Sequence, residues 1–312
     1  MSLVVTGTIG IDTIYLPSGE HREEVLGGSC SYFAAAASFY GPVRMVGAAG
    51  EDFPQEMHAQ FDNFNNIDAT GLEVREGSKT FRWGGKYMTD MDQRESLFTE
   101  LNILGEAPPP VPESYRDSKL VFLANSHPGL QLDFLKAFGE RTLAVADTMD
   151  LWIDTARDEL TELLKHVDGL VLNYDEAEQL TGKQNTVAAA RGLLEQGPTF
   201  VIVKKGEHGA ILAHSDGSIA AIPAFPSEAV VDPTGAGDSF AGGLMGQIGR
   251  MTEFGRLGKA SDFDTLRSAM AHATIIASYT IEDFGLGRLN TLRHDEIESR
   301  YQAFRDMLHI AG

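Results

Sequence analysis

Val231-Asp232-Pro233-Thr234-Gly235-Ala236-Gly237-Asp238-Ser239-Phe240-Ala241-Gly242-Gly243 places a carboxylate, Asp238, directly after a run of small residues and at the mouth of a helix. Gly235, Ala236 and Gly237 carry nothing larger than a methyl group, so their backbone N–H groups can converge on one point. Unpaired donors at a helix N-terminus, reinforced by the helix dipole, attract anions. Phe240, Leu244 and Ile248 recur at helical spacing and predict a helix that starts near Ser239. An acid beside an anion cradle repels what the cradle binds. It has a use if it takes a proton from a hydroxyl that attacks a phosphoryl group held there. The same residues also read as a capping turn in which Asp238 simply favours the helix dipole. Composition alone leaves the two readings level.

Outward from this stretch, apolar runs predict strands at 119–124, 141–146, 169–172 and 199–203. Helical patterns fall between and after them, at 153–166, 174–180, 186–195, 263–281 and 293–308. Such alternation predicts an α/β fold: a mostly parallel sheet covered by helices on both faces, with ligand at the carboxyl ends of the strands. Asn125, Asp147, Asn173 and Lys204 fall at or near such ends. Leu3-Val4-Val5 opens the first strand, and Ala34–Ala37 belongs to a helix packed closely on the sheet. Segments 11–24 and 72–101 break the alternation, being polar, glycine-containing and rich in strand formers. Within the second, Phe81, Trp83 and Tyr87 are evenly spaced and therefore share one face of a strand. Pro108-Pro109-Pro110-Val111-Pro112 reads as a stiff connector.

A chain of 312 residues with 43% hydrophobic content can bury a large core. Its one cysteine, Cys30, forbids an internal disulfide and points to a reducing cytoplasm. Cys30 reads as a small packing residue, since the chemistry above needs no thiol. No stretch approaches the length of a membrane span. The net charge of −20 makes nucleic acid an implausible partner, because phosphate would be repelled. Arginine outnumbers lysine, and with the acid excess this fits a salty cytoplasm that screens self-repulsion; an ordinary acidic enzyme fits as well. Gly-x-x-x-x-Gly-Lys-Ser/Thr and His-Glu-x-x-His are both absent, and Gly7-Thr8-Ile9-Gly10 has the wrong spacing for a dinucleotide fold.

The 231–243 stretch resembles the C-terminal signature of the PfkB, or ribokinase-like, family of sugar and nucleoside kinases. That resemblance extends in order along nearly the whole chain. It makes the Gly235, Ala236 and Gly237 amides an anion hole for the transferring phosphoryl group and Asp238 the catalytic base, with Thr234 at the nucleotide. Asp12, after the first strand, matches the acid that holds sugar hydroxyls, and Gly27-Gly28 matches the family's N-terminal Gly-Gly signature. Asn173-Tyr174-Asp175-Glu176 matches Asn-x-x-Glu, so Asn173 would lie by the nucleotide and Glu176 would position Mg²⁺. Lys204, Gly206 and Gly209 match the strand and Gly-x-x-Gly turn beside the nucleotide, with Lys204 towards phosphate. Singly, Asp12, Gly27-Gly28, Glu176 and Lys204 are each explained by a turn, a loop or a solvated surface. Taken in order they are not.

The resemblance implies one ribokinase-like kinase domain over residues 1–312, with a small β lid made by 11–24 and 72–101. It also implies ATP and Mg²⁺ as cofactors, with a monovalent cation, K⁺, as a further candidate. Lids of this kind commonly pair between subunits, so a homodimer through the lid is expected. Phe81 and Trp83 would then either wall the substrate or meet a second lid. Asn125, at a strand end, completes the substrate side. Three departures bear on the substrate. Tyr32 stands where sugar kinases often carry Asn, and Asp147-Thr148-Met149-Asp150-Leu151 replaces Asp-x-Asn-x-Arg. His272 stands where the family usually places Asn beside adenine, and its ring could stack there. Less polar replacements suit a nucleoside over a free sugar. The expected activity is transfer of the γ-phosphoryl group of ATP to a primary hydroxyl of a ribosyl-type substrate. The alternatives are a free-sugar kinase and a non-catalytic sensor on the same fold; the intact glycine loop with Asp238 disfavours the sensor, and a turnover assay separates them.

Overall fold

The computed structural model describes residues 2–91, 93–253, 255 and 259–309. Its strands, in chain order, are β1 Leu3–Thr6, β2 Gly10–Tyr15, β3 His21–Gly27, β4 Val43–Gly50, β5 Ile67–Arg75, β6 Phe81–Tyr87 and β7 Arg94–Glu100. They continue as β8 Leu120–Leu123, β9 Leu143–Ala146, β10 Gly169–Asn173, β11 Phe200–Lys204, β12 Ala210–His214 and β13 Ile219–Ile222. The helices are α1 Ser29–Ser38, α2 Gln55–Gln60, α3 Pro128–Ala137, α4 Asp150–Thr155, α5 Arg157–Leu164 and α6 Tyr174–Thr181. After them come α7 Thr186–Leu194, α8 Ala236–Glu253, α9 Phe263–Thr280, α10 Gly287–Thr291 and α11 His294–Leu308.

The large sheet runs in the order β13-β12-β11-β10-β9-β8-β1-β4-β5. Every pair from β11 to β5 is parallel, and only the β11–β12–β13 edge is antiparallel. Its central strands are unbroken apolar runs, Leu120–Leu123 and Leu143–Ala146 being wholly buried, because helices cover both faces. One core, including Phe33, Phe122, Leu244 and Ile276, lies on one face, and a second, including Phe138, Leu160 and Leu193, on the other. Strand order reverses at β1, between β8 and β4. Ligands of such sheets bind in the crevice outside the carboxyl ends at that reversal.

Four strands form a separate small sheet, β3-β2-β6-β7. The expected segments shift at their edges. Residues 72–75 belong to β5, an edge strand of the large sheet, whose mixed exposed and half-buried pattern mimics a solvated hairpin in sequence. At the other end the small sheet continues through Gly27. The helix expected at 153–166 is two helices, broken at Ala156, where ψ of 39° leaves the helical region. The alanine run of α1 meets a helix as well as the sheet. A Cβ at Gly242 of α8 would lie 2.3 Å from Phe33 O, and one at Gly246 would lie 2.9 Å from Ala37 O. Small residues on both helices let their backbones touch, which fixes where the N-terminus of α8 points.

Candidate active site

Backbone conformation builds the cradle. Gly235 takes a φ of 75°, in the left-handed region that glycine enters without strain. The chain turns there, α8 starts at Ala236 rather than near Ser239, and Asp238 falls inside its first turn. Asp232 braces the entry, its Oδ1 accepting from Thr234 N at 2.9 Å. Tyr32 forms the floor: a Cβ on Gly235 would lie 2.3 Å from its ring. Tyr32 is 1% exposed and its hydroxyl has no hydrogen-bond partner, so it is no open surface for stacking. Lys204 closes the other side, its Nζ 2.9 Å from where a Cβ of Gly237 would stand.

Three carboxylates, Asp147, Glu176 and Asp238, share this space. Asp238 is half-buried, and loss of water pushes its pKa up to about 7, helped by the charge of Asp147 and opposed by Lys204 and Arg94. Glu176 is pushed to about 8 by burial and then by Asp147. Lys204 Nζ lies 3.9 Å from Asp147 Oδ2. Burial works against the Lys204 ammonium, but Asp147, Glu176 and Asp238 together hold its pKa above the ordinary value, so it stays charged. Asn173 ends β10 directly beside Lys204, the end of β11. Asn173 and Glu176 close a capping box on α6: Asn173 Oδ1 accepts from Glu176 N, and Glu176 Oε2 accepts from Asn173 N, both at 2.8 Å. Gly206 and Gly209 shape the turn that carries the chain from β11 to β12.

Asp12 lies across the cleft, on β2 of the small sheet. Burial, and then Asp232 and Asp238, push its pKa to about 8, while Arg94 opposes them. A Cβ on Gly27 would stand 2.0 Å from Asp12 Oδ2, so only glycine leaves that carboxylate room. Gly28 follows as the N-cap of α1. In parallel register Gly10 pairs with Phe81 and Asp12 with Trp83, which places both rings on the face of the small sheet that carries Asp12. Asn125 sits just past β8, its Oδ1 accepting from Trp152 Nε1 at 2.8 Å.

His272 is not in this group. Its ring stacks on Tyr301 at 4.0 Å and meets Tyr40 edge-on, and it is only 8% exposed. Burial, and then Arg250, lower its pKa to about 4, so it is a neutral packing ring between α1, α9 and α11 rather than a platform for adenine. Cys30 is likewise buried and inert, its thiol pushed up by burial. A surface cavity of about 480 Å³ lies elsewhere, beside Tyr279, Arg288 and Arg300. Those arginines are already paired with Glu282 and Glu296.

The match to the pfkB carbohydrate kinase family model runs over residues 2–288. The chain belongs to that family. As a pfkB kinase it is a phosphotransferase with an alcohol group as acceptor. It is 33% identical to a cytidine kinase of Thermococcus kodakarensis over 258 residues, 80% of this chain and 89% of that protein. It is 26% identical to a nucleoside kinase of Methanothermobacter thermautotrophicus over 266 residues, 83% of this chain and 79% of that one. Among solved structures, a protein from Escherichia coli described as a ribokinase II, in complex with ATP and Mg²⁺, superposes with a TM-score of 0.74 at 20% identity. That match covers 97% of this chain and 99% of the other.

Two further residues of this pfkB chain enter the cleft, one on the aromatic face read from the sequence and one that its sequence did not announce. Tyr87, at the end of β6, shares a hydrogen bond of 2.9 Å with Thr234 Oγ1, so the small sheet is tied to the cradle loop. Its parity with Phe81 and Trp83 was the available signal. Arg94 pairs across the sheet with Tyr87 and lies over the Trp83 ring at 5.7 Å. Its charge reaches Asp12, Glu176 and Asp238. In sequence it is one polar residue among the solvated ones of β7, and nothing marks it out.

Proposed function

We propose that this kinase transfers the γ-phosphoryl group of ATP to a primary hydroxyl of a ribosyl-type substrate, and that it favours nucleosides over free sugars. The observation that carries this is Asp238 in the first turn of α8, with a pKa near neutrality, facing the Gly235–Gly237 amides and Lys204. Asp238 takes the proton of the attacking hydroxyl. The amides and Lys204 stabilise charge on the transferring group. Asp12 holds sugar hydroxyls beside Gly27 and Gly28, while Thr234, Asn173 and the Gly206–Gly209 turn lie on the nucleotide side. Nucleoside preference is supported by the names of the two relatives and by Phe81 and Trp83 on the Asp12 face.

The donor set fits Mg²⁺. Asp147 repels both Glu176 and Asp238, whose pKa values burial also raises, and a cation would relieve that cost. Among the described residues no group of three or more His, Cys, Asp or Glu could hold a metal by itself. That suits an ion held by one or two carboxylates, water and the nucleotide's phosphates, with Glu176 as its protein contact. Bound there, Mg²⁺ would neutralise phosphate charge. A monovalent cation, K⁺, fits against Asp232, which is fully buried with Oδ2 unpartnered. We place the enzyme in the cytoplasm, where its single, buried cysteine would stay reduced; among the described residues no helix is long and apolar enough to cross a membrane. We also propose a homodimer through the lid, supported by Leu97 and Phe98 on the wholly exposed edge strand β7.

The test is ADP release with MgATP across a panel of nucleosides and free sugars. Faster turnover of any free sugar than of every nucleoside would reverse the substrate ranking. The pH profile is a second check. The ionised carboxylate is the base, so kcat/KM should climb from pH 6 to pH 8 with a midpoint near 7. Lys204→Met removes a charge that holds that pKa down, so its midpoint should move to higher pH. A flat profile in both proteins would count against Asp238. Tyr87→Phe removes the bond to Thr234 and should raise KM for the acceptor roughly 2–10-fold, more than it lowers kcat. An unchanged KM would mean that this contact does not hold the lid over the substrate.

A further inference from the structure

At the carboxyl ends of β8 and β9, next to the cleft, four side chains fix one another's orientation. Trp152 Nε1 has only a proton to offer and gives it to Asn125 Oδ1 at 2.8 Å. The amide orientation is therefore decided: the oxygen faces Trp152, and the NH₂ faces away. One of its N–H groups meets Met149 Sδ at 3.0 Å, a weak acceptor, and the other has no protein acceptor among the described residues. His127 lies edge-on to Trp152, their ring centroids 5.2 Å apart. Its Nδ1 accepts from Gly129 N at 3.1 Å, which leaves the proton of the neutral ring on Nε2. Asn125 Oδ1 and His127 Nδ1 each already accept a hydrogen bond from within the protein. What remains to offer is donors, on half-buried side chains beside an indole.

We propose that the Trp152–Asn125 hydrogen bond turns the Asn125 NH₂ outward as a donor that selects acceptor substrates whose base presents a carbonyl oxygen or an unprotonated ring nitrogen, as the 2-carbonyl and N3 of cytosine do. Asn125 is the specificity-determining contact and Trp152 the residue that positions it. The inference rests on the nucleoside-kinase reading of the cleft. A substrate whose base lacks acceptors leaves the Asn125 amide unpaired on binding, and an unpaired buried donor is costly.

The experiment compares cytidine, 1-phenyl riboside (a ring of similar size without acceptors) and ribose with MgATP, in wild type, Asn125→Asp and Trp152→Phe. Wild type should favour cytidine over phenyl riboside by roughly tenfold or more in kcat/KM. Asn125→Asp offers acceptors in place of donors. It should raise KM for cytidine by roughly tenfold and leave phenyl riboside little changed, so that the preference collapses. Trp152→Phe keeps a ring but frees the amide to turn, and should raise KM for cytidine several-fold, far more than it lowers kcat. Equal kcat/KM for the two ribosides in wild type, or equal losses for both in Asn125→Asp, would overturn the inference and leave the kinase reading intact. Turnover of ribose with neither riboside accepted would overturn the nucleoside reading and this inference with it.

Discussion

Asp238→Asn should fold as the wild type does and lose roughly 10²–10⁴-fold in kcat, the usual worth of a positioned general base. Asn keeps the shape of the side chain and its place in the first turn of α8, but it cannot take a proton. The loss should sit in kcat, since Asp238 acts on a hydroxyl that Asp12 and the small sheet hold. The same substitution has an opposite effect on stability. An acid whose pKa rises from 3.8 to about 7 on folding binds more protons in the folded state than in the unfolded one between those values. Stability therefore falls as pH climbs through that window, and the loss is complete above it. Asn has no such dependence. The variant should melt at a higher temperature than wild type at pH 8, with the gap narrowing toward pH 5. Turnover within a few-fold of wild type would remove Asp238 from the role of base, whatever the melting curves show.

Gly237→Val should abolish turnover with the fold retained. The nearest atoms to a Cβ at Gly237 belong to the Lys204 side chain, beginning with Nζ at 2.9 Å, and the end of a flexible side chain can move aside. The branched side chain would then fill the space over the cradle and displace the ammonium from it. Circular dichroism and melting should resemble wild type while ADP release disappears. Gly235→Val is a poorer probe. Its φ of 75° bars a branched residue, and the Tyr32 ring stands 2.3 Å from the new Cβ, so instability would accompany the lost activity. Normal kcat in Gly237→Val would show that these amides do not receive the transferring group.

Residues 231–243 already specify, by local chemistry, a glycine turn that opens a helix with an acid in its first turn. Only small residues permit the turn, and only a 3.6-residue repeat explains Phe240, Leu244 and Ile248. The parallel sheet was legible for a similar reason: strands buried on both faces must be continuous apolar runs, as at Leu120–Leu123 and Leu143–Ala146. Resemblance added Asp12, Gly27-Gly28, Asn173, Glu176 and Lys204 in order, and the fold gathers these around the Asp238 loop. What the sequence did not show depended on partners far along the chain. Tyr32 looked like a substrate ligand, yet it lies under Gly235, more than 200 residues later. His272 looked free to stack on a base, yet Tyr301 and Tyr40 occupy its ring. Arg94 carried no local mark, because its meaning comes from the pairing of β7 with β6 that swings it over Trp83 and toward Asp12 and Asp238. By itself, then, the sequence determined the turn, the helix and the buried strands, since backbone sterics and burial act on neighbours. The tertiary structure alone decided which rings and charges face the cleft, since that depends on contacts that only close packing of distant segments brings about.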